Sequence, residues 1–156
     1  MTKSEIRHAN EGDVLDLVDM GQNFFEESGL SDVAAWDALS FEVTVRTLLS
    51  GAVRGSLLVA EQETILVGMT GAVIFPLYCN LKLQLAQEIF WFVDPDYRKG
   101  LGGSLLDELE ADCRRKGADI FMSAQIAGQR DDAFARLYQR RGYRPSENLY
   151  MRKLSS

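Results

Sequence analysis

The residues best suited to chemistry in this chain are three glycines at 100, 102 and 103, with Arg98 and Lys99 before them and Ser104 after them. An apolar, aromatic stretch from Ile89 to Val93 leads in, a composition that favours a strand. Pro95 ends that strand, because proline cannot donate to a ladder. Leu105 and Leu106 follow the glycines and open a helix. The first amides of a helix have no partner inside it, and the helix dipole adds partial positive charge there. Such an end favours phosphate. Glycine lets the backbone turn tightly and approach a ligand closely, and two cations stand beside it. These types in this order predict a pyrophosphate cradle. Two common phosphate loops do not fit. A P-loop places Lys and Ser/Thr after its glycines, whereas Lys99 precedes them. A dinucleotide fingerprint needs differently spaced glycines in an early βαβ unit.

The elements that must position this loop can be read along the chain. Ile6–Ala9 is a short strand candidate, and Asn10 to Asp13 supply helix-start chemistry. Val14, Leu17, Val18 and Gly21 have helical spacing, which predicts a first helix to about Ser28, closed by Gly29. A second helix is expected from Asp32 to Leu49, closed by Gly51. Strands are expected over Ser56–Glu61 and Ile65–Phe75, with a break from Pro76 to Asn80. Leu81–Ala86 then returns towards Glu88, completing an antiparallel meander of three strands. Ser104–Lys116 reads as a helix with Leu105, Leu106, Leu109 and Cys113 on one face. Its acidic residues, Asp107, Glu108, Glu110 and Asp112, read as a solvated face. Ala118–Ala127 is a further strand, so strand, helix and strand form a βαβ unit with parallel strands. Residues 128–130 form a loop, Asp131 or Asp132 caps a last helix carrying Phe134, Leu137, Tyr138 and Arg141, and Asn148–Leu154 returns as a final strand.

The chain has 156 residues, a length that suits one domain over 1–156. Hydrophobic residues make up 46%, enough for one core, yet no apolar run approaches the ~20 residues of a membrane span. The formal net charge of −6 argues against generic nucleic-acid binding and suits a cationic partner. Two cysteines do not make a disulfide framework, and the amino terminus lacks a secretion signal's apolar core, so a cytoplasmic location is expected. His8, the single histidine, reads as an ordinary strand residue.

Val93, Pro95, Arg98 and Gly100-Leu101-Gly102, followed by Leu105-Leu106, resemble motif A of the GCN5-related N-acetyltransferase (GNAT) superfamily. That motif runs Val-x-Pro-x-x-Arg-x-x-Gly-x-Gly/Ala. Here only Lys99 separates the arginine from the first glycine. Either the loop is one residue shorter, or Tyr97 takes the usual Arg/Gln place; the shorter loop keeps the glycines and both leucines in position. Ala135, Leu137, Tyr138, Gly142 and Tyr143 resemble motif B, Ala-x-x-Leu-Tyr-x-x-x-Gly-Phe/Tyr. The two motifs in this order are far more specific than either alone. The run from Glu88 to Pro95 also looks like phage-borne members of the superfamily.

The resemblance implies an α/β fold of the α+β type: a central mixed, mostly antiparallel sheet splayed between strands 4 and 5, with about four helices. It implies acetyl-CoA as cosubstrate, with pantetheine in the splay against the backbone of Phe92 and Val93. Pyrophosphate would lie on Arg98, Lys99, Gly100, Leu101, Gly102, Gly103 and Ser104. Tyr138 would protonate the departing thiolate. The chemistry also needs a base, because an amine must be neutral to attack a thioester; Glu88 is the best carboxylate for this, with water as the alternative. No metal is required. The acceptor would be an amine, on a small molecule or a protein. Phe24, Phe25, Glu26, Glu27 and Trp36 are candidates to touch it, with core packing and a solvated surface as the plainer roles. Neither nucleic acid nor membrane is expected as a partner, and a homodimer stays open. A second class of function is a non-catalytic module that binds acyl-CoA for regulation.

Overall fold

The computed structural model describes residues 3–126, 128 and 130–155. Its elements are β1 (Glu5–His8), α1 (Val14–Glu27), α2 (Ala38–Ser50), β2 (Gly55–Gln62), β3 (Ile65–Leu77), β4 (Asn80–Val93), α3 (Arg98–Arg115), β5 (Ile120–Met122) and α4 (Asp131–Arg140). The five strands form one sheet in chain order. The pairs from β1 through β4 are antiparallel, and β5 runs parallel to β4. The expected meander and βαβ unit are both present.

Helices cover both faces. One core holds Val14, Leu17 and Met20 of α1 and Val45 of α2 against Val59, Met69, Phe90 and Phe92. The other holds Leu105, Leu109 and Cys113 of α3 against Leu58, Val67, Ala72, Ala86 and Val93. The two faces are kept distinct by an irregularity in β4. Gly71 pairs with Phe90 but Ala72 pairs with Glu88, so Ile89 is an extra residue, a β-bulge. Below the bulge Ala86 faces α3; above it Phe90 and Phe92 face α1.

Several boundaries differ from the sequence reading. The second helix begins at Ala38 rather than Asp32, because the Asp37 side chain accepts from the Leu39 and Ser40 amides and caps it there. Pro76 does not break the third strand: it lies one residue from the strand's end, opposite Gln84, and pairing continues to Leu77. The fifth strand shrinks to three residues, because β4 pairs with it only through Leu85, Ala86 and Gln87; Ala127, at the end of the expected strand, and Gln129, in the expected loop, lie outside the described residues. Asn148–Leu154 is not a strand. Its residues have no ladder partner, and Leu149, Tyr150 and Leu154 are exposed.

Asp112 also departs from the expected solvated face. It is buried, three residues after Leu109 and next to Cys113, on the helix stripe that meets the sheet. Its carboxylate accepts from Ser56 Oγ at 2.6 Å, lies 3.0 Å from His8 Nε2 and pairs with Lys116 Nζ at 2.9 Å. Burial disfavours its charge, but the bonds from Ser56, Lys116 and His8 outweigh this and hold the carboxyl well below the usual range. The network ties β1, β2 and α3 together, so His8 has more than a strand role.

Candidate active site

Beyond Gln87 the two parallel strands part. β5 stops at Met122, while β4 runs on to Val93 with its outer edge unpaired by β5. The splay therefore begins at Glu88. Glu88 is opposite Ala72, and so on the α3 side of the sheet, with only 8% of its surface exposed. Its Oε2 accepts from the Ala124 amide at 3.2 Å and from Ser123 Oγ at 3.1 Å. Burial pushes its carboxyl up to about 7, against the lowering pull of those two bonds. A carboxyl titrating there can hold or release a proton near neutral pH.

Tyr138 reaches the same place from α4. Its hydroxyl lies 2.8 Å from Ser123 Oγ and donates to the Ala124 carbonyl at 3.1 Å. Burial pushes the phenol up to about 12, with the Ser123 bond pulling down and the charge of Glu88 adding to the rise. Its ring is held by Trp91, Phe134 and Tyr143, with centroids 6.5, 6.4 and 5.3 Å away. Helical spacing in α4 puts Phe134 and Tyr138 one turn apart on the face that meets β4. Trp91 is thus a wall between the strands and the last helix.

At the far end of β4 the chain turns through Pro95–Tyr97 into α3. Hydrogen bonding runs from Arg98, but Lys99 and Gly100 leave helical geometry, and Gly100 adopts φ +83°. Regular helix begins at Leu101, three residues before the expected start, so Leu101 to Ser104 form the first regular turn behind the kink. Gly100 alone of the three glycines needs the left-handed conformation. A side chain at Gly103 would instead meet the Arg141 guanidinium, 2.5 Å away. Arg141 is fixed there by Asp107, with Nε to Oδ1 at 2.7 Å. Arg98 turns the other way: its Nε donates to the Val93 carbonyl at 2.9 Å, and its Nη2 pairs with Glu27 at 2.7 Å.

The arrangement is a carboxyl from β4 and a phenol from α4 beside an open strand edge, with a glycine-rich helix start at its far end. The family model described as Acetyltransferase (GNAT) family matches residues 22–143. The chain belongs to this family. No curated protein matches it in sequence. Among solved structures, a predicted acetyltransferase from Clostridium acetobutylicum, crystallised with acetyl-CoA, superposes with a TM-score of 0.77 at 15% identity, over 97% of both chains. The aminoglycoside N-acetyltransferase AAC(6')-Iy, bound to the bisubstrate analog CoA-S-monomethyl-acetylneamine, gives 0.77 at 14% identity, over 99% of this chain and 100% of that one. A transcriptional regulator from Bacillus halodurans C-125 gives 0.74 at 22%, over 96% and 99%. At these identities the likeness is one of fold, and the fold is the GNAT sheet expected from the motifs.

Within that GNAT fold, the structure brings Glu88 and Tyr138 to one place through a residue the sequence reading passed over, Ser123. Ser123 falls inside the expected strand Ala118–Ala127, where its hydroxyl carries no signal, since its role appears only where β4 and β5 part. Arg141, expected on the α4 stripe, lies against Gly103 instead. The aromatic candidates on the other face pack on one another: Phe25 on Trp36, Trp36 on Phe41, and Phe41 and Phe24 on Phe90. All of them but Phe90 are half-buried, with Phe24 and Phe41 packed against the core of that face. Glu26 and Glu27 line a groove beside Asn23, Phe92, Asp94 and Pro95.

Proposed function

We propose that this protein transfers an acetyl group from acetyl-CoA to a primary amine of a small, cationic acceptor. The observation that carries the proposal is the buried Glu88, poised near neutral pH at the mouth of the splay and linked by hydrogen bonds to Tyr138. Acetyl-CoA in the C. acetobutylicum neighbour and the CoA–aminoglycoside analog on AAC(6')-Iy support the cosubstrate and the acceptor class. The net charge of −6 favours a cationic acceptor.

The residues divide the work. The unpaired edge of β4 at Phe92 and Val93 receives pantetheine through its backbone and supplies amide donors to the oxyanion of the addition step. The first-turn amides from Leu101 to Ser104, with Lys99, Gly100 and Arg98 at the entry, hold pyrophosphate. Glu88, directly or through water, takes the proton of the attacking amine. Tyr138 gives its proton to the leaving sulfur.

Transfer from acetyl-CoA to neamine and spermidine, followed by thiol release, tests the enzyme. Wild-type turnover that Tyr138→Phe lowers by about 100-fold without changing cofactor affinity supports it. A second reading is a binding module without turnover, favoured by the loop one residue short of the motif and by Arg98 being engaged with Glu27. Thermal melting with acetyl-CoA, CoA and NAD separates the two from a lost site. A ligand at a hundredfold excess over Kd stabilises by about 2.7 kcal/mol, and no shift with either CoA species would end both readings.

A further inference from the structure

One hydroxyl stands between the base and the acid of the proposed reaction. Ser123 lies just past the end of β5, where the chain leaves β4. Its Oγ is 3.1 Å from Glu88 Oε2 and 2.8 Å from the Tyr138 hydroxyl. Its neighbour Ala124 braces both partners, the amide on Glu88 and the carbonyl on Tyr138. We propose that Ser123 is a positioning residue that passes a proton from Glu88 to Tyr138, so that the proton removed from the amine ends on the departing sulfur. The inference rests on Glu88 as base and Tyr138 as acid.

The step balances without any further reactant. The amine nitrogen bonds to the acetyl carbon, and its surplus proton goes to Glu88. The carbon–sulfur bond breaks, and the sulfur takes the Tyr138 proton together with its own bonding pair. Ser123 gives its proton to the Tyr138 oxygen and receives the one on Glu88. Carboxylate, alcohol and phenol are all restored.

Each hydroxyl has one proton, so the chain has a direction. With Glu88 ionised, Ser123 donates to Glu88, and the Tyr138 proton points to Ser123 or to the Ala124 carbonyl. Once Glu88 is protonated it donates to Ser123, Ser123 donates to Tyr138, and the Tyr138 proton is released towards the sulfur. The acid is thus armed only after the base has been loaded. The direction of both acidity shifts favours such a link. A buried phenol raised to about 12 is a poor donor to a thiolate whose thiol ordinarily titrates near ~8.5. Drawn instead from a carboxyl at about 7, the same proton moves downhill and leaves no bare phenolate.

The test compares Ser123→Ala, Tyr138→Phe, Glu88→Gln and the Ser123→Ala/Tyr138→Phe double variant, with acetyl-CoA and with neamine or spermidine as acceptor. We expect Ser123→Ala to lower kcat by about 10–100-fold, at or below the bottom of the roughly 100–10,000-fold range for proton-transfer catalysis, with the KM for acetyl-CoA held within about twofold. The double variant should be no slower than Tyr138→Phe. The rate in H2O/D2O mixtures should curve for the wild type, as for several protons moving together, and become linear for Ser123→Ala. Full kcat in Ser123→Ala beside a slow Tyr138→Phe overturns the relay and leaves the enzyme reading standing. Losses that multiply in the double variant also overturn it. Full activity in both Tyr138→Phe and Glu88→Gln, or no transfer by the wild type to either amine, removes the underlying reading and the relay with it.

Discussion

Glu27 Oε2 lies 2.7 Å from Arg98 Nη2, so the last turn of α1 grips the arginine at the entry to the glycine loop. The same guanidinium sits over the Phe92 ring, 5.7 Å from its centroid, and donates to the Val93 carbonyl. A carboxylate beside a phosphate site opposes the anion and competes for its cation. Both partners are about one-third exposed, so the competition is worth on the order of 0.2–1 kcal/mol. Glu27→Gln should therefore tighten acetyl-CoA by about 1.4- to 5-fold, with the gain shrinking in high salt. Isothermal titration at two salt concentrations reads this; unchanged affinity means that Arg98 serves the fold and not the phosphates.

Glu88 predicts opposite trends for rate and stability. As a base with a carboxyl near 7, it should give kcat/KM an acid limb that falls about tenfold per pH unit below neutrality. Glu88→Gln should remove the limb and lower the plateau. The folded carboxyl lies above its ordinary 4.5. Between those values the native state therefore binds the proton that the unfolded state has lost, and stability falls as pH rises from about 4.5 to 7. At pH 8 the isosteric, uncharged glutamine should be more stable than the wild type by up to about 3 kcal/mol. Near pH 4 the two should melt together. Equal melting temperatures at both pH values would mean that Glu88 is not held out of water.

Tyr138→Phe keeps the ring contacts with Trp91, Phe134 and Tyr143 and deletes only the hydroxyl. We expect kcat to drop by about 100-fold, as for loss of a positioned proton donor, while acetyl-CoA affinity stays the same. A raised KM with an unchanged kcat would reassign the residue to binding.

Asp112→Ala should lower unfolding stability by about 1–3 kcal/mol, because Ser56 loses a buried acceptor and Lys116 and His8 lose their shared anion. Its carboxyl is depressed in the fold, so the stabilisation is complete above the ordinary 3.8 and is lost as pH falls below it. Denaturant melts at pH 7 and pH 3 should show the variant's deficit shrinking in acid. Acetyl transfer at pH 7, measured below the melting temperature, should stay near that of the wild type, since the network joins β1, β2 and α3 away from the splay.

The parts of the fold visible in the sequence were those in which local chemistry and tertiary packing agree. Leu105, Leu106, Leu109 and Cys113 announce the buried stripe of α3, and all four are fully buried. Pro95 and Gly100 announce the turn into it. What stayed hidden depends on contacts between distant segments. Asp112 looks like a surface acid until Ser56, 56 positions away, is brought to it. Ser123 is uninformative until the strands part beside it. The tail over Asn148–Leu154 has a strand's composition, but composition cannot supply a neighbour to pair with. The first helical position after the glycines was misplaced because Gly102 and Gly103, poor helix formers, sit inside the first turn.

The extra residue in β4 has a consequence for how this chain can vary. A strand that alternated strictly would put residues 86, 88, 90 and 92 on one side. Ile89 breaks the count, leaving the carboxylate at 88 opposite in side to the phenylalanines at 90 and 92. The Ile89 side chain is itself more than one-third exposed. Its identity should therefore be nearly free to drift, whereas deleting it would rotate everything on one side of the gap by half a turn. At this position the chain preserves a number, not a letter.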